Sequence, residues 1–454
     1  MRPGTNTRTT TATTATATGA HTRRPARGLR RTAAAVAAVL CAALLTGGCG
    51  GSGDSTTVTV LGTWTGAEAD AFERVVAPFE RDTGIVVRYE GTRDVDAVLA
   101  ARVDQGTPPD LAALSTPGDL IDYARTGRIV PLDTIPELAA TDGSYAADWR
   151  TLGRVDGRRV AVVVKAALKG LLWYDPKTFA AHNLKPPATA SELASAARAL
   201  SAAGIQPWCF GLASSSASGW PGTDWIENLV LTRSGPQVYD RWVSGELAWT
   251  SPEITSAWQA WGDLLAAGSG GPMASLLTSY DQAGTGLVAS PPRCGMEQQA
   301  SFASGWYGAA PGSPQPGVDF AFTPFPAPAA SAGATAAPAR EVAGDVMAMF
   351  RDTPAARKLL TYLAGTEAQT RWAREGSLSP NRGVPADAYP VNPVAQGIGQ
   401  ALRDADTIRF DASDLMPGAM RGAFYRAVLA YVADPGQLQG ILADLDQARL
   451  AAYP

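Results

Sequence analysis

Two hydrophobic periods alternate along the first part of the chain. Residues 58–61, 85–89 and 111–114 are short apolar runs, which predict β-strands. Between them, apolar residues recur at helical spacing, first around Phe72 and then around Val98. This β-α-β-α-β order predicts a mostly parallel sheet covered by helices. Ligand-binding residues are expected at the carboxyl ends of its strands.

The same pattern continues beyond this region, with clear signals at the helix ends. Further strands are predicted at residues 160–165, 171–174, 344–350 and, as a short extended piece, 408–411. Thr189 and Glu192 have the spacing of a capping box. Pro78 is expected to kink or shorten the helix that contains Phe72. Trp258 and Trp261 lie on one helical stripe, which is more typical of core than of a ligand platform.

Length and the first fifty residues define the organisation of the chain. At 454 residues it exceeds the size of a single core, so about two domains are expected. Residues 1–48 combine arginines with an apolar run at 33–45 that is too short to span a bilayer, which predicts a secretory leader. Cys49 follows small residues at its end, and residues 49–56 form a Gly/Ser-rich tether.

Charge and cysteine content narrow the possible functions. Without the leader the chain has 31 Lys and Arg against 42 Asp and Glu, a net charge near −11. Such an acidic body, with no basic stripe, argues against nucleic-acid binding. Cys209 and Cys294 are the two thiols left after Cys49, and an even pair outside the cytoplasm suggests a disulfide. A single histidine beyond the leader, with no zinc-type spacing, argues against a metal site.

Residues 218–227 place two large rings and two carboxylates around a Pro-Gly turn. Trp220 and Trp225 can cover the C–H face of a pyranose, and Asp224 can accept hydrogen bonds from vicinal hydroxyls. Asp224 and Glu227 also have the spacing of a helix start, so a capped helix is an alternative for this segment. A glycosidase needs two carboxyls about 5 to 9 Å apart across a bond, whereas residues three apart on one helix point the same way.

An ordered set of short motifs carries a family resemblance. These are residues 63–66, 89–94, 108–110, 172–176, 219–227, 344–345 and 409–417. Together they resemble the extracellular solute-binding proteins of carbohydrate ABC importers, in the branch similar to α-glucoside-binding proteins, over residues 57–450. The leader end resembles a bacterial lipobox, which implies cleavage before Cys49 and a lipid on its sulfur. Thr46 stands where that pattern usually has Leu.

The resemblance implies an α/β fold of the two-lobed, type II periplasmic-binding-protein kind, each lobe a mostly parallel sheet flanked by helices. Residues 57–172 and 327–385 would form the first lobe, and residues 173–326 and 386–454 the second. The chain would cross between lobes near Trp173, at residues 322–326 and at residues 383–405. Both Cys209 and Cys294 would lie in the second lobe.

The resemblance also implies a sugar site between the lobes. Trp220 and Trp225 would stack on a sugar ring, and Asp224 would accept from its hydroxyls. The remaining expected ligand contacts are Trp64, Arg93, Lys165, Trp173, Trp306, Asp345 and Arg409. For Lys165, at the end of a predicted strand, the alternative is a side chain that extends to solvent. Asp345 has a competing role as a strand-end cap.

The predicted function is that of a monomeric, lipid-anchored protein on the extracytoplasmic face of the cell membrane. It would capture a sugar, an α-glucoside or an oligosaccharide, by lobe closure and deliver it to an ABC permease. No cofactor and no catalytic residue are expected. Two alternatives remain open, a secreted glycoside hydrolase using Asp224 and Glu227, and a surface protein that senses sugar.

Overall fold

A computed structural model describes residues 56–326, 339–405 and 407–453 of the chain. The predicted leader and Cys49 lie outside the described residues. Within the described part, no helix combines the length and the apolarity needed to span a membrane.

The described residues contain twelve strands. They are β1 (Thr57–Gly62), β2 (Val86–Gly91), β3 (Leu111–Leu114), β4 (Arg154–Val155), β5 (Arg158–Arg159), β6 (Ala161–Leu168), β7 (Leu171–Tyr174), β8 (Gln206–Trp208), β9 (Cys294–Gln299), β10 (Ala321–Pro324), β11 (Arg340–Met349) and β12 (Ile408–Phe410). They form one sheet of six strands, one of four, and a separate pair of β4 and β5.

Nineteen α-helices accompany these strands in the described residues. They are α1 (Ala67–Thr83), α2 (Val95–Asp104), α3 (Leu120–Arg125), α4 (Pro136–Ala139), α5 (Ala147–Thr151), α6 (Pro176–Ala181), α7 (Ala190–Ala202), α8 (Trp220–Ser234), α9 (Pro236–Val243), α10 (Pro252–Ala266), α11 (Pro272–Leu277), α12 (Tyr280–Ala283), α13 (Ala303–Ala309), α14 (Pro354–Ala364), α15 (Thr366–Arg374), α16 (Pro393–Arg403), α17 (Ala412–Leu415), α18 (Gly418–Ala433) and α19 (Leu438–Ala452).

The six-stranded sheet organises the first lobe. Its strands run in the order β12-β11-β3-β1-β2, with β6 paired to β11. Strand β1 is parallel to both β2 and β3, which confirms the β-α-β-α-β prediction for this region. The long strand β11 runs antiparallel to β3 and β6, because it enters this sheet from the other lobe. Apolar side chains cover both faces of the sheet.

The four-stranded sheet organises the second lobe, in the order β10-β7-β9-β8. Strand β7 is antiparallel to both β10 and β9, and only β8 and β9 are parallel. The two-lobed α/β fold is therefore confirmed, whereas the prediction of a mostly parallel sheet is wrong for this lobe. The reason is that β7 leaves the first lobe and β10 precedes the return to it, so they run in opposite directions.

A disulfide fixes the parallel pair of this second sheet. Cys209, just after β8, is bonded to Cys294 at the start of β9, with the two Cα atoms 5.2 Å apart. The predicted disulfide is confirmed. Both cysteines are buried, so the bond joins the two strands from within the fold.

Two local predictions about helices have different outcomes. Pro78 does not shorten α1, which continues to Thr83 and ends at Gly84 in the left-handed conformation, with φ of 70°. Thr189 and Glu192 do form the predicted capping box at the start of α7. Trp258 of α10 is completely buried, which confirms that its stripe belongs to the core of the second lobe.

The chain first passes between the lobes through Lys169 and Gly170, which connect β6 to β7. The last crossing follows Phe410, and not residues 383–405 as expected, because β12 pairs with β11 in the first sheet. After β12, the helices α17 to α19 pack into the core of the second lobe. The other lobe boundaries stay predictions.

Candidate functional site

Four aromatic side chains of the second lobe form one continuous group, which we call the aromatic face: Trp220, Tyr280, Phe302 and Trp306. The ring centre of Trp220 lies 5.0 Å from that of Tyr280 and 6.3 Å from that of Phe302. Trp306 completes the group, 5.4 Å from Tyr280 and 5.2 Å from Phe302. All except Tyr280 are only partly buried, so ring surface remains accessible to a ligand.

The turn before α8 determines where Trp220 lies. Gly219 has φ of 112°, a conformation that favours glycine, and a Cβ there would lie 2.5 Å from the carbonyl oxygen of Tyr425. Trp220 is the first residue of α8, and its indole N–H donates to Ser214 Oγ at 3.1 Å. The ring is therefore held at the helix start by a turn that admits no larger residue.

Four charged side chains of the first lobe form a second group, which we call the charged face: Glu68, Arg93, Lys165 and Asp345. Lys165 Nζ lies 2.7 Å from Glu68 and 4.0 Å from Asp345. Arg93 donates to Glu68 at 3.2 Å. The group holds two positive and two negative charges, and Arg93 and Glu68 remain partly exposed to solvent.

Ion pairing outweighs burial in setting the pKa of Glu68 and of Lys165, whereas burial raises the pKa of Asp345. Burial works to raise the pKa of Glu68, but Lys165 and Arg93 together hold that pKa below its ordinary value. Burial works to lower the pKa of Lys165, and the carboxylates of Glu68 and Asp345 outweigh it and raise the pKa. Glu68 and Lys165 are therefore both charged at neutral pH. They offer a hydroxyl-rich ligand both acceptors and donors of strong hydrogen bonds.

Trp64 supports the charged face from behind. Its indole N–H donates to Asp345 at 2.7 Å, while its ring packs against Phe72 and Trp372 in the core. Only 1% of Trp64 is exposed, so its ring face is not available for stacking. It orients Asp345 instead. Lys165 lies within β6 and not at its end, and it is buried and ion-paired, so it does not extend to solvent.

The aromatic face and the charged face meet between the lobes. The guanidinium carbon of Arg93 lies 6.0 Å from the ring centre of Tyr280, within cation–π range. Next to Arg93, Asp94 accepts a hydrogen bond of 2.7 Å from the hydroxyl of Ser216 in the second lobe. The lobes are therefore in contact on this side of the site.

A second contact between the lobes involves Arg421 of α18. Its guanidinium donates to Asp119 at 2.7 Å and to Asp96 at 3.4 Å, and both carboxylates belong to the first lobe. Burial and the nearby Asp119 raise the pKa of Asp96 to about 6, although Arg421 opposes the shift. The lobes are therefore also in contact through Arg421.

Five further charged residues lie where the chain passes between the lobes, and we call them the junction cluster: Lys169, Asp224, Glu227, Glu341 and Asp411. Lys169 Nζ lies 2.8 Å from each carboxylate oxygen of Asp224 and 2.7 Å from Asp411. Burial works to lower the pKa of Lys169, but the two aspartates raise it well above its ordinary value. The lysine is the central cation of this cluster.

Glu227 uses both carboxylate oxygens to cap a helix, although not its own. They accept the backbone N–H groups of Ala412 at 2.9 Å and of Ser413 at 3.2 Å, at the start of α17. The prediction that Glu227 caps the start of α8 is therefore wrong. That helix begins seven residues earlier, at Trp220.

Glu341 differs from the other members of the junction cluster. It is 2% exposed, and neither of its carboxylate oxygens accepts a hydrogen bond from the described N–H and O–H groups. The Glu227 carboxyl lies within hydrogen-bonding reach. Burial and the neighbouring Asp411 raise the pKa of Glu341 well above its ordinary value. Burial therefore favours the neutral form of Glu341.

The junction cluster is also the place in the described residues where carboxylates come close enough to surround a cation. One oxygen from each of Asp224, Glu227 and Asp411 lies within 4.8 Å of the others. The ammonium of Lys169 already lies between Asp224 and Asp411. Two of the three carboxylates are therefore already paired with a cation of the protein.

Several predicted ligand contacts lie away from the two faces. Trp225 is 1% exposed and packs against Trp208 and Phe325 in the core of the second lobe. Trp173 is completely buried, and its indole N–H donates to the carbonyl of Gln299. Neither ring presents a free surface to a ligand.

Two more predicted contacts are occupied by protein partners. Arg409 forms a two-pronged ion pair with Asp240, which includes a 2.8 Å bond. Asp224 points to Lys169 and not to the charged face. The predicted residues that the structure does bring together are Trp220 and Trp306 on one face and Arg93, Lys165 and Asp345 on the other.

Four contributing residues were missed from the sequence: Glu68, Lys169, Tyr280 and Phe302. Glu68 lies in the first turn of the helix that follows β1, so the rule on strand ends could have indicated it. Lys169 directly follows β6, but the strand was predicted to end at Lys165. No local pattern distinguishes Tyr280 and Phe302, which only the folded chain brings to Trp220.

A two-lobed α/β protein with aromatic and charged side chains between its lobes belongs to the class of ligand-binding proteins that close on a solute. The comparisons agree: residues 64–370 match the model of the bacterial extracellular solute-binding protein family. The chain belongs to this family.

Two relatives extend the likeness over most of the chain. The osmoprotective compounds-binding protein GgtB of Synechocystis sp. is 34% identical over 397 residues, which cover 85% of this chain and 90% of the relative. The alpha-glucosides-binding periplasmic protein AglE of Rhizobium meliloti is 33% identical over 390 residues, or 83% of each chain. Both are binding proteins, and the chain is accordingly a binding protein and not an enzyme.

Solved structures support the fold. The solute receptor AcbH, described with a preference for β-D-galactopyranose, has a TM-score of 0.77 and 18% identity, over 88% of this chain and 99% of its own. A chitin oligosaccharide binding protein has a TM-score of 0.74 and 21% identity, over 88% and 100%. At these identities the likeness establishes the two-lobed architecture alone.

Proposed function

We propose that the chain captures a sugar between its lobes and delivers it to the transmembrane subunits of an ABC importer. The observation that carries this proposal is the placement of the aromatic face opposite the charged face. A pyranose has an apolar C–H face and a rim of hydroxyls, so it needs an aromatic surface on one side and hydrogen-bonding groups around it. The two lobes together offer both.

An α-glucoside or an oligosaccharide of glucose is the ligand class that we favour. Support comes from the relative named as an alpha-glucosides-binding protein, which matches 83% of this chain. The aromatic face has four rings, and this extent suits more than one sugar unit. On the opposite side, Glu68 offers a hydrogen-bond acceptor and Arg93 a donor. They pair with each other, but both side chains remain partly exposed to a ligand.

Within this proposal, Trp220 and Trp306 stack on the sugar, while Arg93, Lys165 and Asp345 act with Glu68 on its hydroxyls. Trp225, Trp173 and Arg409 are not retained as ligand contacts. We further propose that the mature protein is a monomer, anchored through a lipid on Cys49 at the extracytoplasmic face of the membrane. Release of a Cys49→Ala protein into the medium would support the anchor, and unchanged membrane retention would contradict it.

Isothermal titration calorimetry with maltose, trehalose and the β-linked disaccharide cellobiose tests the ligand class. Trp220→Ala and Trp225→Ala provide a matched pair on one helix. Trp220→Ala should weaken sugar binding at least tenfold, about 1.4 kcal/mol, because it removes a stacking ring. Trp225→Ala should instead reduce the free energy of unfolding by about 3–5 kcal/mol, because it leaves a large cavity in the core.

The results separate the parts of the proposal. Binding of cellobiose in preference to maltose and trehalose would contradict the α-glucoside class. Absence of binding to every saccharide in a wider glycan panel would contradict sugar capture itself. If folded Trp225→Ala lost affinity while Trp220→Ala kept it, the aromatic face would be assigned to the wrong tryptophan.

A further inference from the structure

Lys169 is the one member of the junction cluster that also touches the aromatic face. Its Nζ lies 5.1 Å from the ring centre of Trp220, within cation–π range. The same ammonium bonds both oxygens of Asp224 and one oxygen of Asp411. The lysine is therefore placed between a fixed set of carboxylates and a ring whose orientation matters for binding.

The three anchors of Lys169 come from different parts of the fold. The lysine itself lies in the connection from β6 to β7, and its backbone N–H donates to the carbonyl of Glu341 on β11 at 2.9 Å. Asp411 follows β12, and Asp224 lies in α8, four residues after Trp220. Movement of the ammonium would thus disturb the first sheet, the last crossing and the helix of Trp220 together.

Burial makes this arrangement rigid. The side chain of Lys169 is 5% exposed, and those of Asp224 and Asp411 are each 2% exposed. A charge in such a dry environment is costly to separate from its partners, so the ammonium has little freedom to leave its position. Trp220 is only partly buried and donates one hydrogen bond to a serine on a turn. The lysine is the more firmly fixed of the two groups.

We propose that Lys169 is a positioning residue for sugar binding: its buried ammonium fixes the ring of Trp220 in the orientation that stacks on the ligand. This inference rests on the proposed function, because it assigns Trp220 to the sugar. Lys169 itself does not need to contact the ligand. Its effect on affinity should therefore pass entirely through Trp220.

A double-mutant cycle between Lys169 and Trp220 tests the inference. Lys169→Met alone leaves two buried carboxylates without a cation, so Lys169→Met/Asp224→Asn is the working variant, which removes one of them. It should weaken the binding of maltose or trehalose at least tenfold. In the Trp220→Ala background the same change should alter affinity less than twofold, measured by ligand-observed NMR, which detects millimolar binding.

The control for a purely structural effect is Arg159→Met. Arg159 is also a buried cation, 9% exposed, and pairs with Asp142 in the first lobe at 2.8 Å. The Arg159→Met substitution should lower the free energy of unfolding without changing the sugar affinity of the folded protein. An equal loss of affinity for the Lys169 variant with and without Trp220 would overturn the inference. So would a Lys169 variant that binds as the wild type does.

A measurement without ligand keeps this inference separate from the proposed function. The indole N–H resonance of Trp220, identified by its loss in Trp220→Phe, should shift in the Lys169→Met/Asp224→Asn protein and stay in place in Arg159→Met. If the wild-type protein bound no saccharide, the proposed function would fail. The position of this resonance would still show whether Lys169 fixes the ring of Trp220. An unchanged resonance would overturn the positioning role.

Discussion

The charged face and the junction cluster are built from the same residue types, yet the fold gives them opposite properties. Each has a lysine between two carboxylates. In the charged face the side chains of Glu68 and Arg93 are 28% and 36% exposed. In the junction cluster Lys169 and Asp411 are 5% and 2% exposed. The first group can exchange its partners for a ligand or water, whereas the second has no such alternative.

The balance of charge separates the two groups as well. The charged face has two cations and two anions, and every member has an opposite charge within its group. The junction cluster has four carboxyls and one lysine. Burial in a site without water, together with the neighbouring carboxylates, favours the neutral form of a carboxyl group. The pKa of Glu341 and that of Glu227 are accordingly raised well above their ordinary values. In the proposed function the charged face serves binding, while the junction cluster joins the elements that pass between the lobes.

The largest expected effect comes from breaking the junction cluster. Asp411→Asn removes one of the two carboxylate partners of Lys169 and should reduce the free energy of unfolding by about 3 kcal/mol, because it breaks a buried ion pair. Urea unfolding followed by circular dichroism gives the value. The control is Asp240→Asn, which breaks the more exposed pair with Arg409 and should cost less than about 1 kcal/mol. An equal loss in the free energy of unfolding for the two variants would contradict the distinction between buried and solvent-exposed ion pairs.

Breaking the charged face should have an intermediate effect, on binding more than on stability. Glu68→Gln leaves Lys165 with Asp345 but removes an acceptor for sugar hydroxyls, so affinity for the bound sugar should fall about tenfold, or 1.4 kcal/mol. The free energy of unfolding should fall by less than it does in Asp411→Asn, because Glu68 is 28% exposed and Lys165 keeps Asp345 at 4.0 Å. Calorimetry and urea unfolding of the same samples check both. A large loss of stability with full affinity would show that Glu68 is structural.

The most specific effect concerns pH. Because the pKa of Glu341 is raised in the folded protein, its stabilising contribution is complete below the ordinary carboxyl pKa of about 4.3 and is lost as pH rises towards the folded pKa. Glu341→Gln keeps the shape of a neutral carboxyl. It should leave stability at pH 4 nearly unchanged and raise it, relative to wild type, by up to about 1.4 kcal/mol per pH unit above that.

Urea unfolding of wild type and Glu341→Gln across pH 4 to 8 measures this difference. The charged and titratable groups that interact with Glu341 are Glu227, Asp224, Asp411, Lys169 and Tyr239. They are common to both proteins, so their own titration largely cancels in the comparison. A constant loss of stability in the variant at every pH would mean that Glu341 is ionised in the folded protein.

Much of the fold could be predicted from local sequence. The strands around Val60 and Leu111, the helix that contains Phe72 and the capping box at Thr189 all depend on periodicity and end signals within one segment. These signals depend only on residues close together in the chain, so they can be recognised without knowledge of the tertiary structure. The disulfide could also be predicted, because only Cys209 and Cys294 remain after Cys49 in a chain that is expected to be secreted. The direction of β7 and β10 did not, because it depends on where the chain enters the second lobe.

Trp220 and Trp225 show most clearly what could not be predicted about the site from the sequence. They lie five residues apart on one helix, and the sequence offers the same ring at both. That spacing on α8 gives them different neighbours: Trp220 meets Lys169 and Tyr280, and Trp225 meets Trp208 in the core. The sequence by itself determined that this segment is rich in rings and carboxylates. Only the tertiary structure decided which ring is left for a ligand and which carboxylate is neutralised, because exposure and charge balance are set by residues distant in sequence.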